Sequence, residues 1–212
     1  MIKKNYIVFK RKKKYLDCAK FILKKIFQNK HKKIILTGGK SVKKIYKNLF
    51  GYLIKVKFKL DIFLSDERCL KFGNKNLNAN IFKNKFNNSL VKFHPIIKKK
   101  TSFLSAAKVY NKVLPKNPAI ILLSVGDDGH IASIFNKSKA IKSNKNFLFM
   151  KKKYKKYQRI TATLNYLKNK KNIFLLCKGR KRLRIFEKSL RTKNEVLYLL
   201  NKINSNIKLI LV

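Results

Sequence analysis

Apolar runs of three to five residues alternate along the chain with segments in which apolar residues recur every three to four positions. The runs have the length of strands buried on both faces, and the recurrent segments have the rhythm of amphipathic helices. Residues 6–9 open with a short strand, and 13–28 follow as a helix carrying Tyr15, Leu16, Ala19, Ile22, Leu23, Ile26 and Phe27. Strands are predicted at 34–36, 60–64, 120–123, 173–177 and 207–212, and helices at 42–53, 103–114 and 182–190. Pro115 stops the third of these four long helices. Residues 92–97 read as a strand whose Pro95 demands an edge or a bend. A polar stretch, 71–80, reads as loop, and 81–86 as a short helix. Residues 147–150 form a short strand running into the basic stretch 151–156, and 160–163 is short, β-prone and threonine-rich. Thr192-Lys193-Asn194-Glu195 fits a capping box that starts a last helix to about residue 200. Strand and helix in alternation specify an α/β protein with a mostly parallel sheet covered on both faces. Residues 1–212 read as a single domain, with no internal repeat and no linker.

Composition changes this picture in one respect. The chain has 55 Lys and Arg against 8 Asp and Glu, a formal charge of +47. Nonspecific nucleic-acid binding is one reading of such a charge. Compositional drift is the other and is favoured, because lysine is spread along the whole length, asparagine is abundant and tryptophan is absent. An apolar fraction of 45% is that of a folded domain. No apolar stretch approaches a membrane span, and Ile7-Val8-Phe9 is too short for a secretory core, so a cytoplasmic protein is expected. Cys18, Cys69 and Cys177 offer neither a disulfide framework nor a metal spacing and read as reduced bystanders. No metal and no cofactor is expected, and a monomer is the expectation for oligomeric state.

In a chain so poor in carboxylates, their location is informative. Half of the acids fall in two adjacent pairs, Asp66-Glu67 and Asp127-Asp128, each just after an apolar run. Both pairs are expected in turns at the C-terminal ends of strands, where ligands bind in open α/β sheets. Gly126-Asp127-Asp128-Gly129-His130 carries the most chemistry. Gly129 can take positive φ and aim His130 into the cleft. The imidazole titrates near neutrality and suits a general base, with Asp128 orienting it or touching the substrate. Asp127 reads as a solvated turn residue. Thr37-Gly38-Gly39-Lys40-Ser41 lies between a buried strand and a helix, where two glycines and free N–H groups make a phosphate cradle or a plain tight turn. It is neither a dinucleotide fingerprint nor a Walker loop. Asp66-Glu67-Arg68 can bind sugar hydroxyls, hold the arginine towards an anion, or form a surface salt-bridge cluster. Arg159 and Arg182 add cations at two further junctions. His31 and His94 have no such setting.

The ordered set Thr37-Gly38-Gly39-Lys40-Ser41, Asp66-Glu67-Arg68, Leu77-Asn78-Ala79-Asn80, the box from Gly126 through His130 to Ala132-Ser133-Ile134-Phe135, Arg159-Ile160-Thr161 and the Gly179 turn resembles the 6-phosphogluconolactonase family. That family lies within the superfamily that also holds glucosamine-6-phosphate deaminase. Two features separate the chain from the deaminases. Phe135 is followed by Asn136-Lys137 rather than Asn-Glu-Pro, and arginine rather than an aromatic residue follows the acid pair. Three departures from the family pattern are Lys40-Ser41-Val42 in place of Ser-Thr-Pro, Ile131 in place of threonine, and Arg182 in place of a lysine.

The resemblance implies a three-layer α/β/α, Rossmann-like fold and hydrolysis of 6-phospho-D-glucono-1,5-lactone without a cofactor. That reaction is a step of the oxidative pentose phosphate pathway. In its terms the substrate phosphate sits on Gly38, Gly39, Lys40 and Ser41, helped by Arg159 and Arg182. Asp66 and Gly129 line the substrate site. His130 acts as base, Asp128 as its orienter, and Arg68 or backbone N–H groups near 126–129 meet the oxyanion. A small anionic sugar phosphate is then the partner, with no specific nucleic acid and no membrane. The remaining alternatives are a basic nucleic-acid-binding module, an inactive relative, and a glucosamine-6-phosphate deaminase.

Overall fold

Seven of the described strands pair, all in parallel, into one sheet. The computed structural model describes residues 6–9, 12–39, 41–55, 59–83, 85–86, 90–193, 195–204 and 206–212. In chain order the elements are β1 (Tyr6–Val8), α1 (Lys14–Phe27), β2 (Lys33–Leu36), α2 (Lys43–Lys55), β3 (Leu60–Leu64), β4 (Asp66–Arg68), a 3-10 turn (Asn78–Ile81), β5 (Val91–His94) and α3 (Phe103–Val113). There follow β6 (Ile120–Ser124), α4 (Lys139–Lys142), β7 (Phe147–Tyr154), β8 (Tyr157–Ala162), α5 (Leu164–Leu167), β9 (Ile173–Cys177), α6 (Gly179–Arg191), α7 (Val196–Ile203) and β10 (Ile207–Leu211).

The main sheet has the order β1-β10-β9-β6-β2-β3-β5. From β2 the chain moves outward through β3 to β5, and from β6 it moves the other way through β9 to β10. Right-handed crossovers then place α2 and α6 on opposite faces. α1 packs beside α2, and α6 beside α7. Every residue of β9 is buried, and so are Ile120, Ile121, Leu122 and Leu123 of β6, as a sheet covered on both faces requires. β5 is an edge strand that ends one residue before Pro95, which supplies the bend. The β2/β6 boundary, where the strand order reverses, is the topological switch point, and the crevice beyond the strand ends opens there.

Four sequence expectations need correction. Asp66-Glu67-Arg68 is not a turn but strand β4, which pairs antiparallel with β8, and β8 with β7, in a separate three-stranded sheet. The strand expected at 147–150 does not stop there: β7 runs on through the basic stretch to Tyr154, and Lys155 and Lys156 form the hairpin tip before β8. Among the described residues of 81–86 no helix continues past Ile81, where a 3-10 turn, Asn78–Ile81, ends. Thr192 closes α6 rather than opening the last helix, and α7 begins at Val196 behind Glu195. Asn194 of the expected capping box lies outside the described residues.

Candidate active site

The turns after β2 and β6 lie side by side at the switch point because their strands are paired, Leu36 opposite Leu122. Between them, β4, the β7–β8 hairpin and the start of α6 enclose a cleft of about 240 Å³. Gly38, Gly39, Ser41, Asp66, Arg68, His130, Arg159 and Arg182 all line it, although they come from five separate places in the chain. Lys40 lies outside the described residues. Asp128 and Gly129 complete the turn that carries His130.

Four local facts fix the imidazole. Gly129 adopts φ +79, the left-handed bend expected for it, and no L side chain is comfortable there. The Gly126 N–H donates to the His130 carbonyl at 2.8 Å, closing the turn. The His130 ring lies against the Gly126 Cα so closely that a Cβ there would sit 2.1 Å from Cε1 and Nδ1. The ring also packs against Phe135, centroids 4.5 Å apart.

Asp128 Oδ1 forms a short hydrogen bond with His130 Nδ1. A carboxylate is an acceptor only, so Nδ1 carries the proton and Nε2 is left as the basic nitrogen. Among the described residues Nε2 has no protein hydrogen-bond partner. Partial burial alone would raise the Asp128 carboxyl. The His130 hydrogen bond and charge, with Lys155, outweigh it and hold the group well below the usual carboxylate range. Lys155 Nζ stands 3.8 Å from Asp128 Oδ2. Asp127 is not merely solvated. Its Oδ1 accepts from Arg182 Nε at 3.0 Å and holds that guanidinium at the cleft.

The other acid pair is built differently. Asp66 accepts from Ser65 Oγ at 3.2 Å and from Ser133 Oγ at 2.5 Å, one bond on each oxygen, and each oxygen keeps a lone pair. Ser133 N in turn donates to Thr161 Oγ1 at 3.0 Å. Glu67 is fully buried and accepts from the backbone N–H groups of Arg68, Asn78 and Ala79 at 2.7–2.8 Å. Burial raises its carboxyl to about 7 against the pull of those three donors, and the neighbouring Asp66 adds to the rise. Glu67 thus fastens the segment carrying Asn78, a residue of the family-like motif 77–80 that had been given no role. Asn78 Nδ2 donates to the Asp66 carbonyl at 3.0 Å. Its amide crowds Gly38 so closely that a Cβ at Gly38 would lie 2.2 Å from Asn78 Cγ. That is the physical reason for glycine there.

Two guanidiniums face the cleft with donors to spare. Arg68 gives Nη1 to the Asn76 carbonyl at 2.5 Å, while its buried Nε has no protein partner among the described residues. Arg159 is buried, also has an unpartnered Nε, and lies 5.9 Å from the Phe135 and 5.7 Å from the Tyr157 ring centroid. Desolvation pulls its pKa down, a pull that an arriving anion would relieve. Ser41 Oγ and Ser124 Oγ are 3.1 Å apart at the floor. Ile131 is fully buried and bridges Val125, so it closes the turn from below.

The remaining candidates stand apart. His94 pairs with Asp61 at 2.6 Å and stacks on Phe63. His31 lines a larger hollow, about 400 Å³, at the opposite end of the strands, just before β2, β6 and β9, among asparagines and lysines. All three cysteines are free and buried, and burial pushes the Cys69 thiol up to about 12 despite nearby Arg159. Among the described residues no helix is long and apolar enough to cross a membrane.

This arrangement matches known proteins along nearly the whole chain. The family model described as glucosamine-6-phosphate isomerases/6-phosphogluconolactonase matches residues 13–204. A 6-phosphogluconolactonase of Borreliella burgdorferi is 30% identical over 131 residues, which is 55% of this chain and about half, 54%, of the relative. A probable 6-phosphogluconolactonase of Dictyostelium discoideum is 25% identical over 202 residues, 86% of this chain and 85% of the relative. In three dimensions, the crystal structure of a 6-phosphogluconolactonase from Shewanella baltica superposes with a TM-score of 0.82 at 17% identity, covering 100% of this chain and 99% of that one. That likeness establishes the shared α/β fold, and the family model establishes the kinship: the chain belongs to the glucosamine-6-phosphate isomerase/6-phosphogluconolactonase family.

Proposed function

We propose that the chain hydrolyses 6-phospho-D-glucono-1,5-lactone to 6-phospho-D-gluconate, with His130 as general base. The observation that carries this reading is the Asp128–His130 pair at the switch point, its bare Nε2 beside a cleft of three arginines. Nε2 takes a proton from water as the water attacks the lactone carbonyl. The charge that develops on the imidazolium is met by Asp128. The tetrahedral oxyanion needs a preorganised donor. The N–H groups of Gly126 and Gly129 already donate to carbonyls within the turn, at 2.8 and 3.3 Å, so the role falls to Arg68. When the ring C–O bond breaks, imidazolium returns the proton to the leaving oxygen. Ester hydrolysis by water changes no oxidation state, so the reaction asks for no redox cofactor.

The substrate phosphate sits on the turn formed by Gly38, Gly39, Lys40 and Ser41, with Arg159 and Arg182 closing on it. Arg182 stands where the family has lysine and supplies the same charge. Asp66 lines the cleft, where it holds Ser133 and keeps lone pairs for a sugar hydroxyl.

Deaminase chemistry is disfavoured at one residue. After Phe135 stands Asn136, whose Oδ1 accepts the Val196 N–H at 2.9 Å and caps α7. No acid is available there to assist ring opening. On this reading the protein works as a cytoplasmic monomer on a small anionic substrate, and the +47 charge draws that anion in. A coupled assay on freshly generated lactone, with spontaneous hydrolysis subtracted, tests the proposal. Turnover above background that survives moderate salt supports it. No turnover, together with nucleic-acid binding that collapses as salt rises, overturns it in favour of the binding module.

A further inference from the structure

One lysine among this chain's many stands in a built position. Lys155 is the first residue of the β7–β8 turn, between the paired Tyr154 and Tyr157, and adopts φ +57. A left-handed residue at this place fixes the direction in which the hairpin tip points. The tip is anchored by rings. Tyr154 stacks on Phe135 at 4.6 Å and 3°, and Phe135 packs on His130 at 4.5 Å. The hairpin is therefore held in register with the imidazole by side chains that carry no charge. Its lysine reaches the cleft, while the adjacent Lys156 is exposed and does not line it.

Asp128 divides its oxygens between two partners. Oδ1 meets His130 Nδ1, and Oδ2 meets Lys155 Nζ at 3.8 Å. Resting on the lactonase reading above, we propose that Lys155 is a positioning residue which holds the second oxygen of Asp128 and offsets part of the charge that this carboxylate presents to His130. An ammonium on the far oxygen withdraws part of the carboxylate charge that would otherwise stabilise imidazolium, and it repels imidazolium directly. Other charged groups surround the turn. Glu195, just ahead of α7, has Oε2 3.7 Å from where a Gly129 Cβ would stand. From β4 come Asp66, bound by two serine hydroxyls, and Arg68, bound to the Asn76 carbonyl. From the turn itself comes Asp127, which is paired with Arg182 of α6. Arg159 of β8 lies over Phe135 and Tyr157. Arg68 and Arg159 keep their charge, but among the described residues Lys155 is the cation that, besides His130, stands within 4 Å of Asp128.

The test is the pH profile of kcat/KM for the lactone in Lys155→Met, Lys155→Arg and Lys156→Met. The acid limb reports the base. In Lys155→Met it should move up by about half a unit to one unit, the scale expected of a half-exposed neighbouring charge. Lys155→Arg should keep the parent limb, and Lys156→Met, which removes the same net charge, should leave it unmoved. High salt should carry the parent limb towards that of Lys155→Met and leave the variant in place. A Lys155→Met limb superimposed on the parent overturns the inference, as does an equal shift in Lys156→Met, which would assign the effect to overall charge. A parent protein without lactonase turnover instead overturns the functional reading on which it rests.

Discussion

The two adjacent acid pairs look alike in the sequence and are opposites in the structure. Asp66 and Glu67 are 4% and 0% exposed, and their oxygens are occupied by hydroxyls and backbone N–H groups. The Asp127 and Asp128 side chains are 60% and 47% exposed, and their partners are an arginine, a histidine and a lysine. The first pair consumes hydrogen bonds to build a wall, whereas the second pair orients groups that can still gain or lose a proton or an anion. A carboxylate next to a strand end is thus a pointer to the cleft, but only its partners say whether it serves architecture or chemistry.

The contrast can be broken most sharply at the second pair. His130→Ala should lower kcat for the lactone by about 10²–10⁴-fold, with a melting temperature unchanged within error. Asp128→Asn should follow it part of the way. A large loss of stability in either variant would erase the distinction. At the first pair the expectation reverses. Glu67→Ala strands three buried N–H donors and should cost about 3 kcal/mol of stability or more, read from denaturant midpoints. Arg159 lies between the two pairs, and Arg159→Ala should raise KM for the phosphorylated lactone by about 10–100-fold with a smaller change in kcat. An unchanged KM removes Arg159 from the phosphate.

The smallest effect concerns pH. Burial raises the Glu67 carboxyl from 4.5 to about 7, so the unfolded chain releases this proton first. The contribution to stability is therefore complete below about pH 4.5 and is lost as the pH rises through about 7. The melting temperature of the parent should decline across that window. Glu67→Gln, which cannot ionise, should lack that component of the slope.

Much of this was legible in the sequence for a physical reason. β2, β3, β6 and β9 are buried on both faces, so their residues must be apolar, and runs such as Ile120-Ile121-Leu122-Leu123 announce them. The His130 box was legible because acids are so scarce elsewhere. The small antiparallel sheet was not. β4 contains only Asp66, Glu67 and Arg68, and it becomes a strand through pairing with β8, about ninety residues away. Lys151, Lys152 and Lys153 occupy β7 with side chains in solvent, so no alternation marks them. Lys155 was invisible among so many lysines, since only its distance to Asp128 distinguishes it. Asn78 and Ser133 did carry a signal, because both fall inside the motifs that resemble the family, yet their hydrogen-bond partners are long-range and cannot be read from spacing.

The bare Cα of Gly126 has a consequence for how this protein tolerates mutation. Lysine has spread over the surface because solvated positions accept almost any side chain. At residue 126 even one added methyl would collide with the imidazole at 2.1 Å, and the ring would have to swing away from Asp128. Evolvability in this chain is therefore uneven at the scale of single atoms: a surface open to substitution surrounds a turn in which the catalytic reading depends on a hydrogen being no larger than a hydrogen.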